Sequence, residues 1–262
     1  MPTSTRGLLY DRIDLMPPWR KHGTPVVFHH GIGTSRDTWA GWLLQMAAQH
    51  PVIRFDMRGF GGSAPLPAAS PDLMDVLIQD VFDVAPADEP VHLVGESAGG
   101  TVMLAAALRH PERVASVTMS NAAIVGSGIG QINSWRPLFA DGVKAWNDSM
   151  MKCRFAPGAI DEAAAAWYSA EQSRTRPSAA LAVADMLAAT DLMPALSGLR
   201  VPLLVLIPDS SPFVPVSMYA GIEERVPGVE TRVFKGVRHG LPFSHAEECA
   251  RTLLDFIGRR AS

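Results

Sequence analysis

Val91-His92-Leu93-Val94-Gly95-Glu96-Ser97-Ala98-Gly99-Gly100 is the stretch on which the reading of this chain turns. It begins as a short apolar run of strand type. It passes through Gly-x-Ser-x-Gly at 95–99 and continues into Thr101-Val102-Met103-Leu104-Ala105-Ala106-Ala107-Leu108, whose composition is helical. Strand, sharp turn and helix are the surroundings in which this pentapeptide presents a serine. The two glycines let backbones approach where a Cβ would clash. The turn lifts the Ser97 hydroxyl clear of the sheet, near the free N–H groups and positive dipole end of the following helix. Ser97 is therefore the candidate nucleophile. The alternative is a tight turn whose serine caps the helix.

Working outward, Pro25-Val26-Val27-Phe28-His29 and Val52-Ile53-Arg54-Phe55 read as buried strands upstream, and Val114 to Met119 as one downstream. Residues 7–15 suit a short hairpin, and Trp39 to Gln49 reads as helical. Asp72 to Val84 is an amphipathic helix in which Leu73, Val76, Leu77, Val81 and Val84 keep a 3–4 spacing. This alternation predicts a mostly parallel sheet flanked by helices. It stops after Asn121. From Gly126 to Leu196 no good strand pattern occurs, and Trp135, Phe139, Val143 and Trp146 share one helical face. Asp161 to Glu171 and Ala179 to Ala189 add two further helices. Alternation resumes with the strand at Pro202 to Ile207, a helix around Ser217 to Arg225, the strand Glu230 to Phe234 and a helix from His245 to Arg259. The expected organisation is an α/β core from 1–125 and 197–262 with an inserted helical cap at 126–196.

Composition narrows the function classes. The 262 residues suit one large domain or a core with an insertion. At 47% hydrophobic and 19% charged, the chain can bury a sizeable core. A formal net charge of -3 gives no reason to expect a nucleic-acid partner. Cys153 and Cys249 are the only cysteines, so neither a disulfide framework nor metal-type cysteine spacing is present. With no apolar signal core and no membrane-length apolar run, the expected location is cytoplasmic and no membrane partner is expected. The expected partner is a small-molecule substrate, and the expected state a monomer or homodimer. No cofactor or metal is expected.

A serine hydroxyl needs a general base, and the base needs an orienting group. His239, in Gly236-Val237-Arg238-His239-Gly240, lies between the last strand and the last helix, at the same sheet edge as Ser97. It is the candidate base. His29 and His30 read as shaping the adjacent glycine turn, His110 as a helix end, and His245 as a helix cap. The oxyanion donors are expected to be the N–H groups of Ala98 and of Ile32, in His30-Gly31-Ile32-Gly33.

Phe28-His29-His30-Gly31, Phe55-Asp56-Met57-Arg58-Gly59-Phe60-Gly61-Gly62-Ser63, the serine turn and the Gly-x-x-His-Gly loop, in that order, resemble the α/β-hydrolase superfamily over nearly the whole chain. The α/β-hydrolase fold is therefore expected. Within it, Trp135-Arg136, Gly142-Val143, Arg154-Phe155-Ala156-Pro157, Asp185 and Asp191-Leu192 are most similar to small capped esterases and lactonases of the 3-oxoadipate enol-lactonase type. The resemblance implies a structural Asp56/Arg58 loop. It also implies a substrate carboxylate that Arg136 or Arg154 could meet; solvated or structural arginines are the alternative. Trp135, Phe139, Met150, Met151 and Trp167 offer an apolar lining or simple packing.

The chain departs from the family at the triad acid. Pro208-Asp209-Ser210-Ser211-Pro212 places Ser211 where relatives usually carry aspartate. Asp209 is the first candidate to replace it, Asn121 the second, and a site with no true acid the third. The expected function is a cofactor-free serine hydrolase acting on an ester, lactone or amide of a small, carboxylate-bearing substrate through an acyl-enzyme on Ser97. A lyase or decarboxylase of the same fold and a ligand-binding, receptor-like member are the alternatives.

Overall fold

The computed structural model describes residues 2–67 and 72–260. Met1, 68–71 and 261–262 lie outside the described residues, and with them the outer ends of the expected core. Seven strands form one sheet: β1 (Tyr10–Ile13), β2 (Val26–His29), β3 (Val52–Phe55), β4 (Val91–Glu96), β5 (Val114–Ser120), β6 (Leu203–Pro208) and β7 (Glu230–Phe234). Their order is β1-β3-β2-β4-β5-β6-β7. Among the described strands only β1 runs antiparallel, paired with β3. It takes the place of the hairpin expected at 7–15; the isolated antiparallel bridge nearby, Thr3–Leu9, begins before that range.

The central strands are apolar on both faces, and alternate residues enter different cores. Val27, Leu93, Val117 and Val205 face a core shared with the helices Leu73–Val84 and Ala98–Arg109. Val26, Phe28, Val94, Leu204 and Leu206 face another, built with Trp39, Trp42, Leu253 and Phe256. The last two come from the helix Ala246–Gly258. Asp72 starts its helix by accepting from the Asp75 N–H at 3.1 Å, which satisfies one of the free donors of the first turn.

Between β5 and β6 the chain forms the helices Trp135–Ala140, Val143–Arg154, Glu162–Ser173 and Pro177–Ala189. The expected single face of Trp135, Phe139, Val143 and Trp146 is divided at Asp141–Gly142 into two helices. Packing survives the break. Phe139 stacks on Trp146 with ring centroids 4.8 Å apart, and Trp135 meets it edge-on at 5.7 Å. The expected helix at 217–225 is likewise a 3-10 turn, Val216–Tyr219, followed by Ile222–Arg225.

Candidate active site

The turn after β4 is tight enough to put Ser97 at φ 51°, ψ -122°, a conformation rarely adopted by a residue with a side chain. Glycine is required on both sides. A Cβ on Gly95 would lie 2.5 Å from the Gly100 nitrogen, and one on Gly99 would lie 2.3 Å from the His29 carbonyl oxygen. Ser97 N–H is held by the Ser120 carbonyl at 2.9 Å, which ties the strained residue to β5.

The loop after β7 brings His239 to this serine. Its Nε2 lies 2.9 Å from Ser97 Oγ. The loop is fixed from two directions. Asn121 Nδ2 donates to the His239 carbonyl at 2.7 Å. The C-terminal end of the helix Val143–Arg154 accepts from Gly240 N–H at the Arg154 carbonyl, at 2.8 Å. The imidazole is 3% exposed and meets the Phe213 ring edge-on at 4.8 Å. Burial, and then the Arg154 charge, hold its pKa well below the ordinary value of 6.5, so the ring is neutral at rest.

Ser211 occupies the far side of the ring. Its Oγ lies 3.0 Å from His239 Nδ1. Asp209, the first sequence candidate for this place, is elsewhere. Its Oδ1 accepts from Gly236 N–H and from the Ser210 hydroxyl, each at 2.8 Å, on the exposed side of the loop. The reason lies in the backbone. Asp209 N–H and Ser210 N–H donate to the carbonyls of Phe234 and Val237, so the chain continues alongside the other loop before turning toward the imidazole at Ser211. Asn121 is close but holds the backbone of His239 instead of its ring.

Ser211 Oγ also accepts from Phe213 N–H at 3.3 Å and Val214 N–H at 3.2 Å, which fixes the hydroxyl beside the ring. As donor or acceptor it can serve either neutral tautomer of the imidazole.

Among the described residues, the amide N–H groups of Ala98 and Ile32 have no acceptor. The Ile32 loop is nevertheless fixed. Gly31 N–H donates to Glu96 Oε1 at 3.0 Å, and the Ile32 carbonyl accepts from Arg154 Nη2 at 2.6 Å. His30 accepts from Met57 N–H at Nε2, 2.8 Å, while its Nδ1 lies 2.7 Å from the Gly31 carbonyl. Burial lowers its pKa to about 4, so this bracing side chain stays neutral.

Residues 24–246 match the alpha/beta hydrolase fold family. The chain belongs to this family. It is 36% identical over 128 residues to 2-hydroxymuconate semialdehyde hydrolase of Pseudomonas sp. (strain CF600), an alignment covering 45% of each chain. It is thus matched to that relative over less than half of the relative's length. It is 27% identical to the pimeloyl-[acyl-carrier protein] methyl ester esterase of Aeromonas hydrophila subsp. hydrophila, over 90% of this chain and 96% of that one. The enol-lactonase of Burkholderia xenovorans LB400 shares the fold, with a TM-score of 0.82, 22% identity and 96% coverage of both chains. The protein is thus an α/β-hydrolase with esterases and lactonases among its sequence and structural relatives.

In this α/β-hydrolase, Ser97, Ala98, Ile32, Trp135, Arg154, Asn121, Phe213 and His239 line a common, narrow cavity of about 30 Å³. Arg136 does not reach it. Neighbouring residues on a helix are about 100° apart, and with Trp135 turned inward Arg136 pairs with Asp185 outside, both being 61% exposed. Phe139, Met150, Met151 and Trp167 are not among the lining residues. Phe139 and Met150 are buried in packing, and Trp167 stacks on Phe243. Asp56 accepts from Arg36 and Gly62, and Arg58 pairs with Asp80, which makes that loop a bracing element.

Two contributors were not singled out from the sequence. Glu96, 1% exposed, joins the Ile32 loop to Asn121, whose Nδ2 lies 3.4 Å from its Oε2. Gln172 anchors the Arg154 guanidinium at 2.7 Å. A carboxylate inside an otherwise buried strand was the available signal for Glu96, because such groups are rarely buried without a partner. Gln172 gave none.

Among the described residues, no helix is long and apolar enough to cross a membrane, and no group of three or more His, Cys, Asp or Glu side chains could hold a metal ion.

Proposed function

We propose that the protein is a cofactor-free serine hydrolase that cleaves a small ester, lactone or amide through an acyl-enzyme on Ser97. The 2.9 Å approach of His239 Nε2 to a serine on a strained turn carries the reading. The esterase and lactonase relatives support the bond class. Ser97 Oγ forms a bond to the substrate carbonyl carbon, and its proton passes to Nε2. The Ala98 and Ile32 N–H groups receive the developing oxyanion. The imidazolium returns the proton to the leaving oxygen or nitrogen as that bond breaks. Water then attacks the acyl-enzyme by the same route.

For the first transfer Nε2 must be free. The ring proton is then on Nδ1, where Ser211 Oγ accepts it. Residues 126–196 act as a cap that closes the cavity and selects the substrate. The protein works as a cytoplasmic monomer or homodimer.

A fluorophosphonate probe tests the reading: it should label Ser97, and Ser97→Ala should abolish hydrolysis of short p-nitrophenyl esters. Wild-type turnover in the purified, folded mutant would exclude Ser97 as nucleophile. A hydroxyl in place of a carboxylate beside His239 Nδ1 favours a second reading, in which Ser97 and His239 shuttle protons in a lyase reaction without an acyl-enzyme. Turnover without acyl-enzyme formation would support it.

A further inference from the structure

Among the described residues, Trp19 and Leu44 are the most exposed large apolar side chains, at 82% each, and Leu15 is third at 56%. All three belong to one loop and its support. Leu15 N–H donates to the Ala47 carbonyl at 2.9 Å, and Gly23 N–H donates to the Gln49 carbonyl at 3.1 Å. Both ends of the loop are thereby fastened to the segment that follows the helix Leu43–Met46. Leu44 stands in that helix, one turn before Ala47. Asp14 Oδ2 and His22 Nδ1, 2.9 Å apart, close the base of the loop. Inside it, Pro17 and Pro18 fix two φ angles, and Arg20 N–H donates to the Pro17 carbonyl at 2.9 Å. The loop is braced in a shape that leaves an indole in water. Single exposed apolar residues are ordinary, but a cluster on a braced loop marks a contact surface.

The charges around the cluster say what it contacts. Arg20 and Lys21 follow Trp19 directly. Both are exposed, and neither side chain has a partner among the described residues. Asp14 is the only acid in residues 14–23, and it is taken by His22 and by Met16 N–H. Asp88 and Glu89, at the same end of the sheet, precede β4, three places along from β1. A two-fold contact between copies of this chain would set Arg20 and Lys21 against their own equivalents, like charge on like. A layer of anionic headgroups meets them with opposite charge. It also offers the boundary of headgroup and acyl chain, where tryptophan settles.

We propose that the 14–23 loop, together with Leu44, docks this protein on an anionic lipid surface. Trp19, Leu15 and Leu44 enter the interface, and Arg20 and Lys21 lie on the headgroups. Such a contact needs no spanning helix, and none is found among the described residues. The sheet sets the orientation. Ile13, just before the loop, pairs with Val52 at the amino end of β3, whereas Ser97 follows the carboxyl end of β4. Loop and catalytic serine lie at opposite edges of the sheet, so a docked molecule keeps its cavity toward the solution. The surface is an anchor and not an entrance for substrate, and it does not depend on the hydrolase reading.

The test is co-sedimentation of the full chain with vesicles of phosphatidylcholine alone and of phosphatidylcholine mixed with an equal amount of phosphatidylserine. The wild-type protein should bind the anionic vesicles, bind the neutral ones far less, and be released as salt is raised. Trp19→Ala should weaken binding by at least about tenfold, through the lost apolar area. Arg20→Gln and Lys21→Gln should each weaken it about fivefold. Thermal melting establishes that the variants are folded, and the wild-type comparison of the two vesicles decides even where one is not. No binding to the anionic vesicles at low salt, equal binding to both kinds, or wild-type binding by folded Trp19→Ala overturns the proposal. A concentration-dependent dimer that Trp19→Ala abolishes, without vesicle binding, gives the cluster to a second copy and likewise overturns it.

Discussion

Replacing Ser211 with aspartate should raise kcat toward neutral esters. In the wild-type protein, Ser211 Oγ is 3.0 Å from Nδ1 and already accepts from two backbone amides. A carboxylate offers about four lone-pair sites, enough to keep both amides and still take a proton from Nδ1. The ring proton would then rest on Nδ1, leaving Nε2 free for the Ser97 proton. The new charge would also face the imidazolium. With an effective dielectric of about 20, unit charges at this 3.0 Å separation attract by about 5 kcal/mol. Desolvation of the new carboxylate offsets roughly half of that. The remaining ~2–3 kcal/mol corresponds to about a hundredfold in rate. The assay is steady-state hydrolysis of p-nitrophenyl butyrate by Ser211→Asp and wild type, with thermal melting to establish that both are folded. An unchanged or lower kcat in a folded Ser211→Asp protein would refute the argument that this position limits the reaction.

Asp209→Asn should change kcat by less than about twofold, because its side chain meets Gly236 N–H and Ser210 on the exposed side of the loop and an amide oxygen can keep those bonds; a loss of orders of magnitude would return Asp209 to the catalytic unit. Asn121→Ala should lower kcat about ten- to a hundredfold and reduce the melting temperature, since it frees the His239 loop and orphans a buried carbonyl; wild-type kinetics would show that the loop is held without it. The acid limb of kcat/KM for a neutral ester should lie below pH 6.5, because burial and Arg154 depress the His239 pKa and the ring therefore stays neutral, as a base must be; a limb at or above 6.5 contradicts this. Stability should fall as pH drops from 6.5 toward 4. The folded-state pKa values of His29, His30 and His92 are pushed by burial to about 3, 4 and 4, so the unfolded chain takes up protons first in that window; a melting temperature that is constant across it would count against buried neutral histidines.

Much of the fold and part of the site could be read from the residues in order. The β4 stretch into Gly95 and the Ala/Leu-rich run after Gly99 carry their own local preferences, and only glycine fits the two close approaches. The strands of the central sheet announce themselves because both faces are buried, leaving continuous apolar runs. The break at Gly142 was hidden, because Trp135, Phe139, Val143 and Trp146 keep helical spacing across it and pack together in either case.

The sequence alone determined that Ser97 stands on a turn between strand and helix and that His239 lies in a loop at the same sheet edge. Both follow from chain order and from the parallel sheet. It did not determine which side chain of the 208–215 loop meets His239, because Asp209 and Ser211 are two residues apart and the choice depends on how far β6 remains paired beside the neighbouring loop. Nor did it distinguish Arg136, on the outside with Asp185, from Arg154, buried in the cavity wall with its Nη1 unpaired. Both arginines lie in helices. Only packing against the Ile32 loop, Gln172 and Tyr168 decides which of them faces the cavity, because burial and hydrogen-bond partners are properties of the assembled layers and not of the neighbours along the chain.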